Sequence, residues 1–273
     1  MANAISRPKS SNRVEEGLRP MKTVIAALAL ALTWAVAPLA LAQTAPPLTT
    51  AMATELVAAN RILVNQGVID VRGHVSVRDP VNPNYFWITR AIAPGLATVA
   101  DLQAFDLDGK QVGGVSGEAY TERFIHARIF KARPDVNSVV HAHTPSLITF
   151  SVSDIPLRPV TTAGLFAGDG VPIHANGLVG EGIHDMPVGD SLAAKLGGKV
   201  AVLMRGHGAV IVGQTVRTAV GRAIGLDLNA REQINLLSMP GKIDYLVPPP
   251  GAGKASGNYD REWSWWMHQL DSH

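Results

Sequence analysis

The chain of 273 residues contains no cysteine. That absence removes disulfides as a source of stability and thiolates as metal ligands, so a bound metal has to be held by imidazoles and carboxylates. Without covalent staples the chain depends on its core, and about 230 residues beyond the N-terminal stretch are enough to build one. No internal repeat is present, and one domain is the simplest organisation. A surplus of positive charge is also missing from most of the chain. The formal net charge is +2, but residues 1–42 carry Arg7, Lys9, Arg13, Arg19 and Lys22 against Glu15 and Glu16. The remainder is net −1, which gives no electrostatic footprint for a nucleic-acid partner.

What residues 1–42 do carry is a polar, basic start followed by an Ala/Leu-rich apolar run over 23–42. The run closes on Ala40-Leu41-Ala42 before Gln43, the small-residue pattern of a cleavage site. Met21-Lys22 opens it as an ordinary signal peptide would start, so Met21 is a candidate initiator. The run is long enough to cross a bilayer, yet Pro38 and the cleavage pattern favour removal over a lasting anchor. The expectation is a signal peptide over 1–42 and a periplasmic or secreted mature protein. A short linker over 43–48, a domain over 49–247 and an aromatic tail over 248–273 complete the organisation. The tail turns aromatic at Tyr259, and the cluster Trp263, Trp265 and Trp266 reads as a packing or subunit-contact segment.

Within the domain, periodicity predicts a helix over 49–66 capped by Gly67. Strands are expected over 68–71, 75–78 and 85–89, with an Asp-Gly turn between short strands over 106–114. A helix is expected over 117–132, placing Glu122 and His126 at i and i+4. A buried strand runs through 136–140 into His141, and a short helix follows near Pro145. A helix over 190–196, two strands flanking His207 and a long helix over 215–237 complete the pattern. His174 and His184 fall in loops and read as solvated. Interleaved helices and hairpins imply a layered α/β domain with a mostly antiparallel or mixed sheet.

The chemistry concentrates in His141-Ala142-His143, with Glu122 upstream and Arg205-Gly206-His207-Gly208 downstream. Residues two apart on a strand share a face, so His141 and His143 converge at its end. Glycines around His207 let backbone and ligand approach closely. Three imidazoles and one carboxylate suit a divalent metal with a position left open for substrate.

These motifs, with Arg133-Pro134-Asp135 and Val139-Val140, resemble the class II aldolase/adducin family across residues 50–237. The resemblance implies that family's layered α/β/α domain. It also implies His141, His143 and His207 as ligands of a divalent metal, zinc or manganese, with Glu122 as acid/base. Family members are often tetramers, which implies a homo-oligomer here. The sugar-phosphate aldolases of the family grip phosphate with a Gly-Asn pair and small hydroxyl residues. This chain has Gly73-His74-Val75-Ser76-Val77-Arg78, Tyr120-Thr121 and Ile88-Thr89-Arg90-Ala91 at those places. The convergent donors of a phosphate cradle are therefore gone. The chain instead is similar to the decarboxylase branch, which acts on hydroxy-aromatic carboxylates and carboxy-hydroxymuconic semialdehyde. The resemblance implies a small carboxylate substrate lined by Arg90, His74, Ser76 and Thr89, with Arg90 offering a bidentate fork for a second carboxylate. Two other readings are an aldolase of a non-phosphorylated hydroxy-carbonyl compound and a non-catalytic adducin-like module. The retained histidines weigh against the module.

Overall fold

The computed structural model describes residues 45, 47–175, 182–252 and 257–272. The expected leader over 1–42 lies outside them, as do residues 43, 44 and 46 of the linker.

Helix α1 (Thr50–Asn65) starts where the Thr49 hydroxyl accepts the Met52 N–H, an N-cap that satisfies one orphan donor. It stops at Gly67, whose φ of 68° only glycine adopts freely. The stretch 68–71, expected as a strand, is instead a turn. Asp70 Oδ1 accepts the backbone N–H groups of Arg72 at 2.8 Å and Gly73 at 3.1 Å. That local capture competes with any strand ladder. Val68 and Ile69 are buried for packing rather than for pairing.

Eight strands follow among the described residues: β1 (His74–Arg78), β2 (Tyr85–Thr89), β3 (Leu102–Asp106), β4 (Gln111–Gly114), β5 (Ser138–Ala142), β6 (Ile173–His174), β7 (Ala201–Met204) and β8 (Gly208–Gly213). They form one sheet in the order β4-β3-β2-β1-β5-β8-β7-β6. Every pairing is antiparallel except β6 with β7, so the sheet is mixed. Helices α2 (Arg123–Ala132) and α4 (Met186–Leu196) cover one face. Helix α1 and the long α5 (Val216–Leu237) cover the other. Helix α3 (Pro145–Ser151) also packs there, and α6 (Asp260–Asp271) contacts α1 and α5.

Side-chain alternation assigns the faces. Val75, Val77, Val140 and Ala142 join the core under α1 and α5. Their neighbours His74, Ser76, Val139 and His141 therefore point towards α2. Because both faces are covered, β1 and β5 are buried along their whole length, which makes them apolar runs interrupted only by working polar residues.

Three other expectations change. Helix α2 begins at Arg123, not 117, because the Gln103 amide takes the carbonyls of Val115 and Gly117 and the Ala91 N–H takes that of Glu118. Helix α4 begins one turn earlier, at the Asp185 N-cap with Pro187 in the first turn. His174 is buried on β6 against the Ser191 hydroxyl at 3.0 Å, whereas His184 is exposed. The aromatic tail folds as α6, burying Trp263 and Trp266 and exposing Trp265. No helix among the described residues is long and apolar enough to cross a membrane.

Candidate metal centre

Strand β5 delivers the first two histidines. His141 occupies its α2-facing side, and His143 follows just past its end. Thr144 then caps α3 and Pro145 opens it, which fixes the exit of the chain directly after His143. The β7–β8 turn brings the third histidine. There Gly206 has a φ of 69° and donates its N–H to the Ser151 hydroxyl at 2.9 Å. Gly208 admits no side chain, since a Cβ would stand 2.2 Å from the Ala142 carbonyl oxygen and 2.8 Å from the His143 ring.

The three Nε2 atoms converge. His143 and His141 are 2.8 Å apart, and His207 is 3.2 Å from each. Glu122, at the N-cap of α2, places Oε2 3.3 Å from His141 Nε2 and Oε1 3.2 Å from His207 Nε2. The Nδ1 of His141 faces the Ala209 carbonyl at 3.1 Å, and that of His143 faces Asp70 Oδ1 at 2.9 Å. Acceptors there hold the proton on Nδ1 and leave an Nε2 lone pair aimed inwards.

This donor set fits a divalent cation. Ligand bonds of ~2.0–2.1 Å in a tetrahedron set imidazole nitrogens about 3.3 Å apart, close to the observed spacing. Lone pairs facing one another at this range repel unless a cation sits between them. Glu122 Oε1 is buried without a hydrogen-bond partner, a cost a cation removes. Among the described residues, Glu122, His141, His143 and His207 form the group able to hold a metal ion.

The charge states follow from burial and neighbours. Burial alone would raise the Glu122 carboxyl, but the imidazoles of His141 and His207 outweigh it and keep the group ionised well below the usual carboxylate range. Burial and the neighbouring His141 push His143 down to about 4, against the opposing pull of Asp70. His126 is pushed down to about 3, chiefly by burial. His74 is pushed well below its ordinary value, again by burial first. His143, His126 and His74 are thus neutral near pH 7, and a neutral His143 is the form that can ligate a metal.

Comparison with known proteins settles the ancestry of this site. The model of the class II aldolase and adducin N-terminal domain matches residues 54–234. The chain belongs to the class II aldolase and adducin family. It is 32% identical to a protein of Talaromyces stipitatus named decarboxylase tropJ, over 72% of this chain and 79% of that one. It is 30% identical to the 3,4-dihydroxyphthalate decarboxylase of Arthrobacter keyseri, over 84% of this chain and 96% of that one. Among solved structures, an aldolase II superfamily protein from Pseudomonas syringae superposes with a TM-score of 0.68 at 27% identity, covering 81% of this chain and 92% of that one. The class II aldolase layering expected from the sequence is the observed fold.

The remaining candidates from this family resemblance separate into two groups. His74 and Ser76 lie beside the centre. Ser76 Oγ is 2.6 Å from His126 Nδ1, His126 Nε2 is 2.7 Å from His74 Nδ1, and His74 Nε2 is 3.9 Å from Glu122 Oε2. Thr89 is buried next to Tyr120, whose ring lies 4.3 Å from that of His74. Arg90 is set differently. Its Nε donates to Asp101 Oδ1 at 2.7 Å, and it does not line the cavity of about 330 Å³ that opens beside Glu122. Arg72 and Tyr120 line that cavity. Arg78, at the far end of β1, donates to the carbonyls of Val136, Pro83, Phe130 and Arg133. It ties loops together and does not serve the site.

Sequence reasoning missed Asp70, Arg72 and Tyr120. The Asp-x-x-Gly spacing of residues 70–73 is a turn signal, and it was the available pointer to Asp70.

Proposed function

We propose that the protein is a divalent-metal-dependent carboxy-lyase that removes one carboxylate from a small hydroxylated aromatic or oxo dicarboxylate. One observation carries the reading. His141, His143 and His207 converge beside Glu122 in a chain 30% identical to a 3,4-dihydroxyphthalate decarboxylase over most of both lengths.

Decarboxylation breaks the bond to the departing carboxylate, leaves its electron pair on carbon, and ends when a proton takes that place. A zinc or manganese ion held by the three imidazoles supplies Lewis-acid stabilisation of the charge that develops as the bond breaks. The chain's own groups do the rest. Glu122, ionised and buried beside the imidazoles, takes up a proton from the substrate hydroxyl or from water and delivers it to carbon. His74 offers a buried, unpaired Nε2 to a substrate oxygen. Arg72 lines the cavity on the Asp70 turn and is placed to orient a second carboxylate. Arg90, engaged by Asp101, supports the wall behind it. Without a phosphate cradle, the site favours a carboxylate over a sugar phosphate.

We further read the enzyme as a homo-oligomer, and the apolar run over 23–42 supports export to the periplasm or beyond. Metal-loaded protein supplied with 3,4-dihydroxyphthalate is expected to release CO2 as substrate disappears. Aldehyde release from a hydroxy-ketoacid, with no CO2 from any dicarboxylate tried, contradicts the assignment.

A further inference from the structure

The buried chain Ser76–His126–His74 has a direction that the metal site does not require. All three side chains are fully buried. The 2.7 Å contact between His126 Nε2 and His74 Nδ1 admits one proton only, so one nitrogen donates and the other accepts. The 2.6 Å contact between Ser76 Oγ and His126 Nδ1 is linked to it, because a neutral imidazole carries its proton on one nitrogen.

Two arrangements are self-consistent. In the first, the Ser76 hydroxyl donates to His126 Nδ1, His126 donates from Nε2 to His74 Nδ1, and His74 keeps its proton on Nε2. In the second, every donor and acceptor is reversed and His74 Nε2 bears a lone pair. What faces His74 Nε2 decides between them. The Glu122 carboxylate oxygen lies 3.9 Å away. An N–H there is attracted to the carboxylate, while a lone pair is repelled. The distance is also too long for a hydrogen bond, and His74 Nε2 is buried with no partner. A buried donor left unpaired beside a reaction centre is costly and marks a place for an acceptor from outside the protein.

We propose that Ser76 and His126 are positioning residues that lock His74 as its Nε2–H tautomer, so that it presents a neutral donor to a substrate oxygen next to Glu122. The location of that oxygen rests on the carboxy-lyase reading; the tautomer does not. The chain ends at a fully buried hydroxyl, so it serves as a lock and not as a proton route to solvent. His74 is also clamped by the Tyr120 ring at 4.3 Å and the His141 ring at 5.2 Å, which fixes the direction of the donor.

The test uses zinc-loaded full-length protein with 15N-labelled histidine, read by imidazole nitrogen shifts and N–H couplings without substrate. The expected wild-type result is an unprotonated Nδ1 and a protonated Nε2 on His74. Ser76→Ala should convert this into a tautomer mixture and lower kcat by about 10–100-fold, with zinc content unchanged. Ser76→Thr, which keeps the hydroxyl, should restore both. A His74 protonated on Nδ1, or on both nitrogens, in wild type overturns the proposal without any variant having to fold. An unaltered tautomer and unaltered kcat in a folded Ser76→Ala also overturn it. Absence of CO2 release by wild type refutes the carboxy-lyase reading and leaves the tautomer result to be judged alone.

Discussion

Replacing Asp70 with asparagine isolates the electrostatic part of metal binding. Asp70 Oδ1 accepts His143 Nδ1–H at 2.9 Å while also accepting the backbone N–H groups of Arg72 and Gly73. Asparagine keeps an oxygen for all three donors, so the turn should survive and only the negative charge behind His143 is lost. Outer-shell partners of ligating histidines are worth ~10–100-fold in metal affinity. The Asp70 side chain is 48% exposed, and solvent screening places it at the lower end. The expected loss is about tenfold in zinc affinity, equivalent to ~1.4 kcal/mol, with little change in melting temperature. Asp70→Ala removes the backbone acceptor too and should lower both affinity and melting temperature. Competition with a chromogenic chelator measures the affinity. Unchanged zinc binding in Asp70→Asn, or a stable and fully metallated Asp70→Ala, would refute the role given to this contact.

Three further outcomes follow from the same structure. His141→Ala should abolish metal content and turnover together, checked by elemental analysis and CO2 release; full activity without metal is incompatible with the mechanism. His126, pushed down to about 3 and fully buried, binds its proton more weakly when folded than at the ordinary unfolded value of about 6.5. Metal-free protein should therefore be most stable above that value and lose stability as pH falls towards 3, by at most ~1.4 kcal/mol per pH unit for this group; a flat urea midpoint between about pH 4 and 6.5 contradicts it. N-terminal sequencing of protein recovered from the producing cells should begin at Gln43, and an intact N-terminus would exclude cleavage there.

How much of this was legible in the sequence depends on whether a residue's partners are local. His141 and His143 were readable because strand alternation puts both on one side, and His207 because glycines bracket it. The sheet that joins them was readable only as a class, since strand order depends on long-range pairing such as His74 opposite His141. The apolar residues at 68 and 69 imitate a strand, and only the side-chain capture by Asp70 turns that stretch into the support for His143. Glu122 was expected inside a helix. It instead stands at the N-cap because the segment before it gives its carbonyls to Gln103 and Ala91. Arg90 was chosen for its place in a motif, and its tie to Asp101 eleven residues on has no sequence signature. His126, read from spacing as a companion of Glu122, is a partner of Ser76 and His74.

The most direct test of the central claim follows the carboxylate itself. 3,4-Dihydroxyphthalate labelled with 13C at its carboxyl groups is mixed with zinc- or manganese-loaded protein and observed by 13C NMR. The account predicts growth of labelled CO2 and bicarbonate together with a dihydroxybenzoate, arrested by a chelator and resumed on adding metal. Label that stays on the ring with metal bound, or leaves it equally fast after chelation, would contradict the account.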